Sequence, residues 1–483
     1  MIKNNVTNQD SSLSKIPNQV QDYNVGEASS NKLDHLELVS RSIYISYNLA
    51  SQAEKLISNL GFKNKRILFV TDEKIWKNCA RFFDASFLKK ILILKSPKPD
   101  EKNLKKIAIA AKNCDLILAL GSGTINDLCK FTSAKTKIPY AIFASGASMN
   151  GYLSKNASIT ILGHKKTLSA TLPIAVFCDL KILKKSPLRL TKAGIGDSLC
   201  FYSCWFDWYL SHKILGTKFD QKPFEILREK MEFLVKNFHK FSIRDEDFLK
   251  ILIEILLLSG QGMTIAGGSY PASQSEHLIA HAIEMKYPKL AQKNLHGAMI
   301  AATSLTAAKM QKYLLDNHQF CHPELVSGSI QSKLQKFFGK KIAAECKKEY
   351  EQKLLAIQQI KKLNGKNPNW KKIKTELQKI HFDESRLKEI FSHFKIKTSP
   401  KSLGLSSQQY QECVTYAKFI RNRFTCLDFI KSEDDDGSIE ETLHLLSSIK
   451  NRKHLLSAIK NEGKGKSVTF KSKTEMKKFF AKL

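Results

Sequence analysis

The chain has 483 residues, with 78 Lys and Arg against 45 Asp and Glu, a formal net charge of +33. With 42% hydrophobic residues it can bury one large core or two ordinary ones. That excludes a small stapled module, a collagen-like chain and a wholly disordered one. The basic excess fits a polyanion partner, nucleic acid or an anionic membrane face, and fits better the plainer reading of solvated Lys-rich helices whose charge serves solubility.

Residues 1–35 are rich in Asn, Ser, Gln and Asp and read as a disordered leader without the apolar region of a secretory signal. An α/β pattern follows over 36–186. Short apolar runs, KRILFVTD (65–72), KKILILK (89–95), CDLILALGSG (114–123) and PYAIFAS (139–145), alternate with helical sequence such as EKNLKKIAIAAKN. Nearly continuous apolar strands separated by helices predict a parallel sheet covered on both faces. After a junction near Pro187 long helical segments dominate 187–435, among them a buried helix around FLKILIEILLLSG that is too short and interrupted to span a bilayer. NHQFCHPELVSGSIQS interrupts this region, an insertion placed at 317–335, and 436–483 is a basic extension. The ten cysteines are scattered without a CxxC pair, as reduced, buried thiols are; Cys200 and Cys204, one helical turn apart, read as core. The expected setting is soluble and cytoplasmic.

Three constellations carry chemistry. In LALGSGTINDLCK, a buried strand runs through Gly121-Ser122-Gly123 into a helix start, where backbone N–H groups and the helix dipole can meet a phosphate. It is neither a GxGxxG fingerprint nor a Walker A loop. The turn FASGASMNG ends the next strand with small and hydroxyl residues, and ligands of an open parallel sheet bind at such carboxyl ends. Asp72, closing an earlier strand, can accept hydrogen bonds from a ribose or cap a helix. The third constellation is Asp197 at a helix, His277 and His281 at i, i+4 spacing in SEHLIAH, and His296 in NLHGAM. A carboxylate with neutral imidazoles and an open position suits a catalytic divalent cation, and Glu276 can orient a ring from behind.

These strings, GSGTINDLCK, SGASMNGYLSKNASI, KAGIGDSLC, SEHLIAHAIE and LHGAM, occur in an order that resembles the sn-glycerol-1-phosphate dehydrogenase family. That family sits within the metal-dependent alcohol dehydrogenase and dehydroquinate synthase superfamily. YAKFIRNRFTCLDFI (416–430) resembles its closing helices. The resemblance implies an N-terminal Rossmann-like nucleotide-binding α/β domain, an all-helical metal-binding domain, and catalysis in the cleft between them. It implies that Asp72 contacts the adenine-side ribose and that Gly123, Thr124, Ile125, Asn126 and Asp127 meet the pyrophosphate of NAD or NADP. Ser145, Gly146, Ala147, Ser148 and Ser154 would line the rest of the cofactor. Asp197, His277 and His296 match the metal ligands and His281 the substrate-side histidine; the ion is zinc, nickel or iron, with zinc expected first.

One position departs from the family pattern. A Ser-Met-Asp-Gly string is replaced by Ser148-Met149-Asn150-Gly151, so a substrate-contacting carboxylate becomes an amide that keeps the shape, loses the charge and gains an NH₂ donor. The implied reaction is the reversible NAD(P)H-linked reduction of glycerone phosphate to sn-glycerol 1-phosphate, for glycerophospholipid synthesis. Asp197, His281 and Asn150 are its catalytic candidates, and Lys165 and Lys166 are candidates for the substrate phosphate. A related polyol (glycerol) dehydrogenase is one alternative; a nucleic-acid or anionic-membrane binder with a degraded site is another. The expected partners are a small phosphorylated substrate and further copies of the chain, with no nucleic acid and weak contact with anionic membrane. Residues 1–35 hold three Lys and four acidic groups, so the charge excess lies in the body and tail.

Overall fold

The computed structural model describes residues 42–161, 164–316, 330–364 and 369–429. The leader at 1–35, most of the insertion at 317–335 and the extension at 436–483 lie outside the described residues. Six strands form one sheet: β1 (Ile43–Ser46), β2 (Ile67–Asp72), β3 (Lys90–Leu94), β4 (Leu116–Gly121), β5 (Tyr140–Ala144) and β8 (Ala175–Asp179). Their order is β1-β8-β5-β4-β2-β3 and every pairing is parallel. A two-stranded antiparallel hairpin, β6 (Asn156–Ile161) and β7 (His164–Ser169), stands apart from it.

The central strands are buried along their whole length, as runs without polar alternation require when both faces are covered. On one face Phe69, Leu118, Phe143 and Phe177 share a cluster, with the rings of Phe143 and Phe177 4.6 Å apart. Each such ring contributes about 1.5–3 kcal/mol over leaving it in water, so the sheet is a rigid platform for its loops. Because all six strands run the same way, Asp72, Gly121 and Ala144 end on one edge. The chain goes outward from β2 to β3, then crosses back to β4 and on to β5, so β2 and β4 flank a topological switch point.

Strands β1 and β8 were not among the sequence-predicted ones; four residues of IYIS and the middle of IAVFCDL offer too little periodicity to separate strand from helix. The other four strands fall where the apolar runs place them.

Beyond the sheet the described chain is helical. The helices that bear on function are α1 (Glu73–Cys79), α2 (Glu101–Ala111), α3 (Gly123–Thr136), α4 (Leu188–Leu215), α5 (Lys222–Asn237), α6 (Glu246–Ile265), α7 (Ser275–Lys286), α8 (His296–Asp316), α9 (Lys340–Asn364) and α10 (Ser407–Ala417). Helix α4 begins directly after Pro187, whose fixed φ suits a helix start, and ends at Gly216 in the left-handed region. Among the described residues α6 alone is long and apolar enough to cross a membrane, and 67% of its most apolar window is buried inside the protein.

The segment resembling closing helices departs from that expectation. Helix α10 ends at Ala417, residues 423–425 are irregular, and a short 3₁₀ turn covers Cys426–Phe429. The cause is local competition for its carbonyls. The buried ammonium of Lys353 in α9 donates to Lys418 O at 2.6 Å, Arg423 O at 3.2 Å and Asp428 Oδ1 at 2.5 Å, drawing off carbonyls a helix would use internally.

Candidate active site

Helix α3 opens at the carboxyl end of β4. Its N-cap residue Ser122 makes no side-chain capping bond, and the first intrahelical donor outside the turn is Asn126 N–H onto Ser122 O at 2.9 Å. The N–H groups of Gly123, Thr124 and Ile125 therefore point out of the helix end, where the positive pole of the dipole assists an anion. Ile125 itself is buried in the core beneath this turn and offers only its backbone. Asn126 is fully buried with its carbonyl Oδ1 unpartnered. Asp127 turns away to accept the amide of Ser158 in β6 at 3.0 Å, fixing the hairpin against α3.

The adjacent turn after β5 runs along the same edge. Ser145 N–H donates to Gly121 O at 2.9 Å, and its hydroxyl is buried without a partner. Gly146 O accepts the hydroxyl of Tyr152 at 2.9 Å, while Ala147 and Ser148 are buried as the chain crosses toward the helices. Ser154 is also buried; its hydroxyl accepts Asn156 N–H and its carbonyl accepts Lys130 Nζ at 2.8 Å. Lys130, fully buried in α3, also donates to Gly151 O at 2.5 Å and Asn156 O at 3.2 Å. Burial pulls its pKa down to about 8, still high enough for an ammonium with three carbonyl acceptors at neutral pH. Asp72 caps α1 by accepting Ile75 N–H at 2.9 Å through Oδ1, next to the switch point.

Across the loop at 145–154 the cluster of acid and imidazole is assembled. Asp197 on α4, His277 on α7 and His296 opening α8 each bring one ligand atom within 4.8 Å of the others. Two glycines make this approach: a Cβ on Gly196 would lie 2.1 Å from Gly297 O, and one on Gly297 would lie 2.0 Å from Ala193 O. Helices α4 and α8 therefore touch backbone to backbone beside Asp197 and His296, which any larger residue would push apart. Asp197 Oδ2 accepts Asn150 N–H at 3.0 Å, and Oδ1, 3.9 Å from His277 Nε2, is buried with no hydrogen-bond partner. Asn150 Nδ2 in turn donates to Ser259 Oγ on α6 at 3.3 Å. Asn150 thus joins the nucleotide edge to the carboxylate.

Each ring is oriented by a carboxylate behind it. His277 Nδ1–H donates to Glu276 Oε1 at 2.8 Å, which leaves Nε2 free toward Asp197. Glu276 is fully buried and also accepts Gln274 N–H, Ser203 Oγ–H and Cys204 Sγ–H. Burial pushes that carboxyl up, but His277 and these donors outweigh it and hold it at about 2. Glu284, which the sequence reading missed, serves two rings: Oε2 accepts His281 Nδ1–H at 3.0 Å and Oε1 accepts His296 Nδ1–H at 3.2 Å. The signal was available, since positions 277, 281 and 284 follow the i, i+4, i+7 rule for one helix face. The rings of His281 and His296 stack with centroids 5.7 Å apart. Burial drives His281 down to about 3 despite Glu284, so its ring is neutral with Nε2 a free acceptor.

A buried, unpartnered carboxylate oxygen facing two imidazole Nε2 atoms, each with its tautomer set from behind, fits a divalent cation of the zinc, nickel or iron class. A second grouping of Cys200, Glu276 and His277 fits less well. There Glu276 is already spent on four donors, and Cys200 Sγ–H donates to Asp197 O at 3.0 Å. Of the two lysines proposed for a phosphate, Lys166 stands exposed on β7 of a hairpin packed against α3, and Lys165 lies there on the strand with its side chain outside the described ones.

Residues 44–187 match the family model of the iron-containing alcohol dehydrogenases. The glycerol-1-phosphate dehydrogenase [NAD(P)+] of Thermococcus sibiricus is 32% identical over 279 residues, spanning 57% of this chain and 78% of that protein. Among solved structures, a probable glycerol dehydrogenase from Sinorhizobium meliloti superposes with a TM-score of 0.54 at 15% identity, over 80% of this chain and 91% of its own. Sulfoacetaldehyde reductase from Bifidobacterium kashiwanohense, solved with NAD+, gives 0.54 at 14% over 84% and 97%. At those identities the structures speak for the fold alone, a Rossmann-like N-terminal part followed by helices. Fold and family model together define an oxidoreductase of the iron-containing alcohol dehydrogenase class. Within that class the chain belongs to the glycerol-1-phosphate dehydrogenase family.

Proposed function

We propose that the protein is a polyol dehydrogenase that reduces glycerone phosphate reversibly to sn-glycerol 1-phosphate with NADH or NADPH. The observation that carries this reading is Asn150. Its backbone amide holds Asp197 at 3.0 Å at the end of the same loop that begins beside the glycine turn. A dinucleotide on the sheet edge and a substrate oxygen at Asp197, His277 and His296 would then be neighbours. When bound, the divalent cation supplies Lewis acidity toward the substrate carbonyl and the reduced nicotinamide supplies hydride.

The chain's own residues do the rest. The free N–H groups of Gly123, Thr124 and Ile125 receive the pyrophosphate, the second oxygen of Asp72 receives the adenine-side ribose, and Ser145 and Ser148 line the crevice. Asp197, His277 and His296 hold the cation. His281, neutral and aimed by Glu284, accepts a hydrogen bond from a substrate hydroxyl through Nε2 and fixes which face of the carbonyl is presented. Asn150 positions the same substrate end through its side-chain amide. Homologues carrying the glycerol-1-phosphate dehydrogenase name support the substrate class. The test is a steady-state comparison of glycerone phosphate with dihydroxyacetone, using NADH and NADPH in turn. A higher kcat/KM for glycerone phosphate supports the reading; preference for dihydroxyacetone places the protein among unphosphorylated-polyol dehydrogenases.

A further inference from the structure

Resting on the reading above, we infer that Arg421 is the residue that selects a phosphorylated substrate, its guanidinium receiving the phosphate monoester beside His281. The segment that carries it is held at almost every neighbouring residue. Lys353 binds the carbonyls of Lys418 and Arg423 and the carboxylate of Asp428. Asn422 N–H donates to Glu349 Oε2 at 3.1 Å. The Arg423 side chain donates to Ser273 O and to Ser269 Oγ at 2.8 Å, and lies 4.7 Å from the Tyr270 ring. Cys426 N–H donates to Asp207 Oδ1 at 3.0 Å, and the other oxygen of Asp207 accepts Ser275 N–H at 3.1 Å, the first residue of α7. The segment is therefore pinned to the start of the helix that bears His277 and His281.

Amid these fastenings Arg421 itself makes no hydrogen bond or ion pair among the described residues. It is half-buried and within electrostatic range of His281, Glu284, Glu349 and Tyr270. The nearby carboxylates are engaged elsewhere: Glu284 gives one oxygen to each histidine ring, and Glu349 Oε2 accepts Asn422. Burial holds the guanidinium below its ordinary pKa, so the charge lacks solvation that an incoming anion would replace. A guanidinium fork of N–H donors without a hydrogen-bond partner, carried on a pinned segment, matches the oxygens of a phosphate monoester. Lys166, by contrast, stands exposed on its hairpin strand.

The test compares wild type with Arg421→Gln and Arg421→Lys as full-length, metal-loaded enzyme. In the Gln variant the ratio of kcat/KM for glycerone phosphate to that for dihydroxyacetone is expected to fall about 100-fold, chiefly through KM, with partial recovery in the Lys variant. Inorganic phosphate binding, followed by titration calorimetry, should weaken in parallel. An unchanged ratio, or equal loss on both substrates, overturns the assignment. Should wild type fail to use glycerone phosphate at all, the functional reading falls instead. Calorimetry then still decides on Arg421: phosphate binding lost in the Gln variant keeps it as the anion site, and phosphate binding retained removes it.

Discussion

The two halves of the site are built from different materials. On the sheet edge the cofactor side consists of backbone N–H groups, small residues and a helix end, all set by strand ends and turns. On the helical side every functional atom belongs to a side chain, and each is aimed from behind: the carboxylates of Glu276 behind His277 and of Glu284 behind His281 and His296, and the backbone N–H of Asn150 behind Asp197. The first kind of site tolerates changes in side chains because they do not make the contacts. The second depends on its supporting layer. Substitutions should accordingly cost much more on the helices than on the edge.

The largest effect is expected for His277→Ala, which removes one of three ligands. Bound metal measured by elemental analysis should drop to background, and kcat/KM should fall by about 10³-fold or more. Full metal content in that variant would sever the cluster from the proposed chemistry. Glu284→Ala comes next, since it frees two rings at once; metal affinity should weaken about 10–100-fold, read by competition with a chelator. If Glu284→Ala binds metal as wild type does, the support it gives to His296 is merely structural.

Asn150→Asp restores the carboxylate that the family pattern carries. Ser259 Oγ, 3.3 Å from the amide nitrogen, can reverse and donate to it, so the fold should be unaffected. A change in kcat of about tenfold, with KM for NAD(P)H constant, is expected from the altered charge beside the substrate. The smallest effect belongs to the edge: Asp72→Ala should raise KM for NADH about fivefold and leave KM for NADPH nearly untouched, because a carboxylate favours an unphosphorylated ribose. Losing the cap at Ile75 N–H should also lower stability by about 1 kcal/mol, measurable by thermal unfolding.

The same contrast explains what could be read in advance. Strand runs and glycine turns are local signals, so β2 to β5, the start of α3 and the junction at Pro187 were legible from residue order. The hairpin at 156–169 was not, because NASITI and HKKTLS carry polar residues and its stability comes from packing on Phe131. Asp197, His277, His281 and His296 could be grouped by residue type as a metal-site candidate, but no spacing joins α4 to α8, and only the family resemblance singled out Asp197, His277 and His296 as the ligands. Their meeting depends on Gly196 and Gly297, whose role is visible only once the two backbones are side by side. Glu284 was legible in principle from helix periodicity. Arg421 was not, since its neighbours are held by Lys353, Ser273 and Asp207, distant in the chain. The basic charge is likewise spread among residues that take no part in the site, with part of it in 451–483, outside the described structure.

The most direct test of the account is to incubate purified, metal-analysed protein with glycerone phosphate and NADH or NADPH, and determine the configuration of the product. The account requires about one divalent ion per chain at the three-residue site, oxidation of the nicotinamide, and sn-glycerol 1-phosphate as the product. Accumulation of the opposite enantiomer, or no nicotinamide oxidation by metal-replete protein, would contradict it.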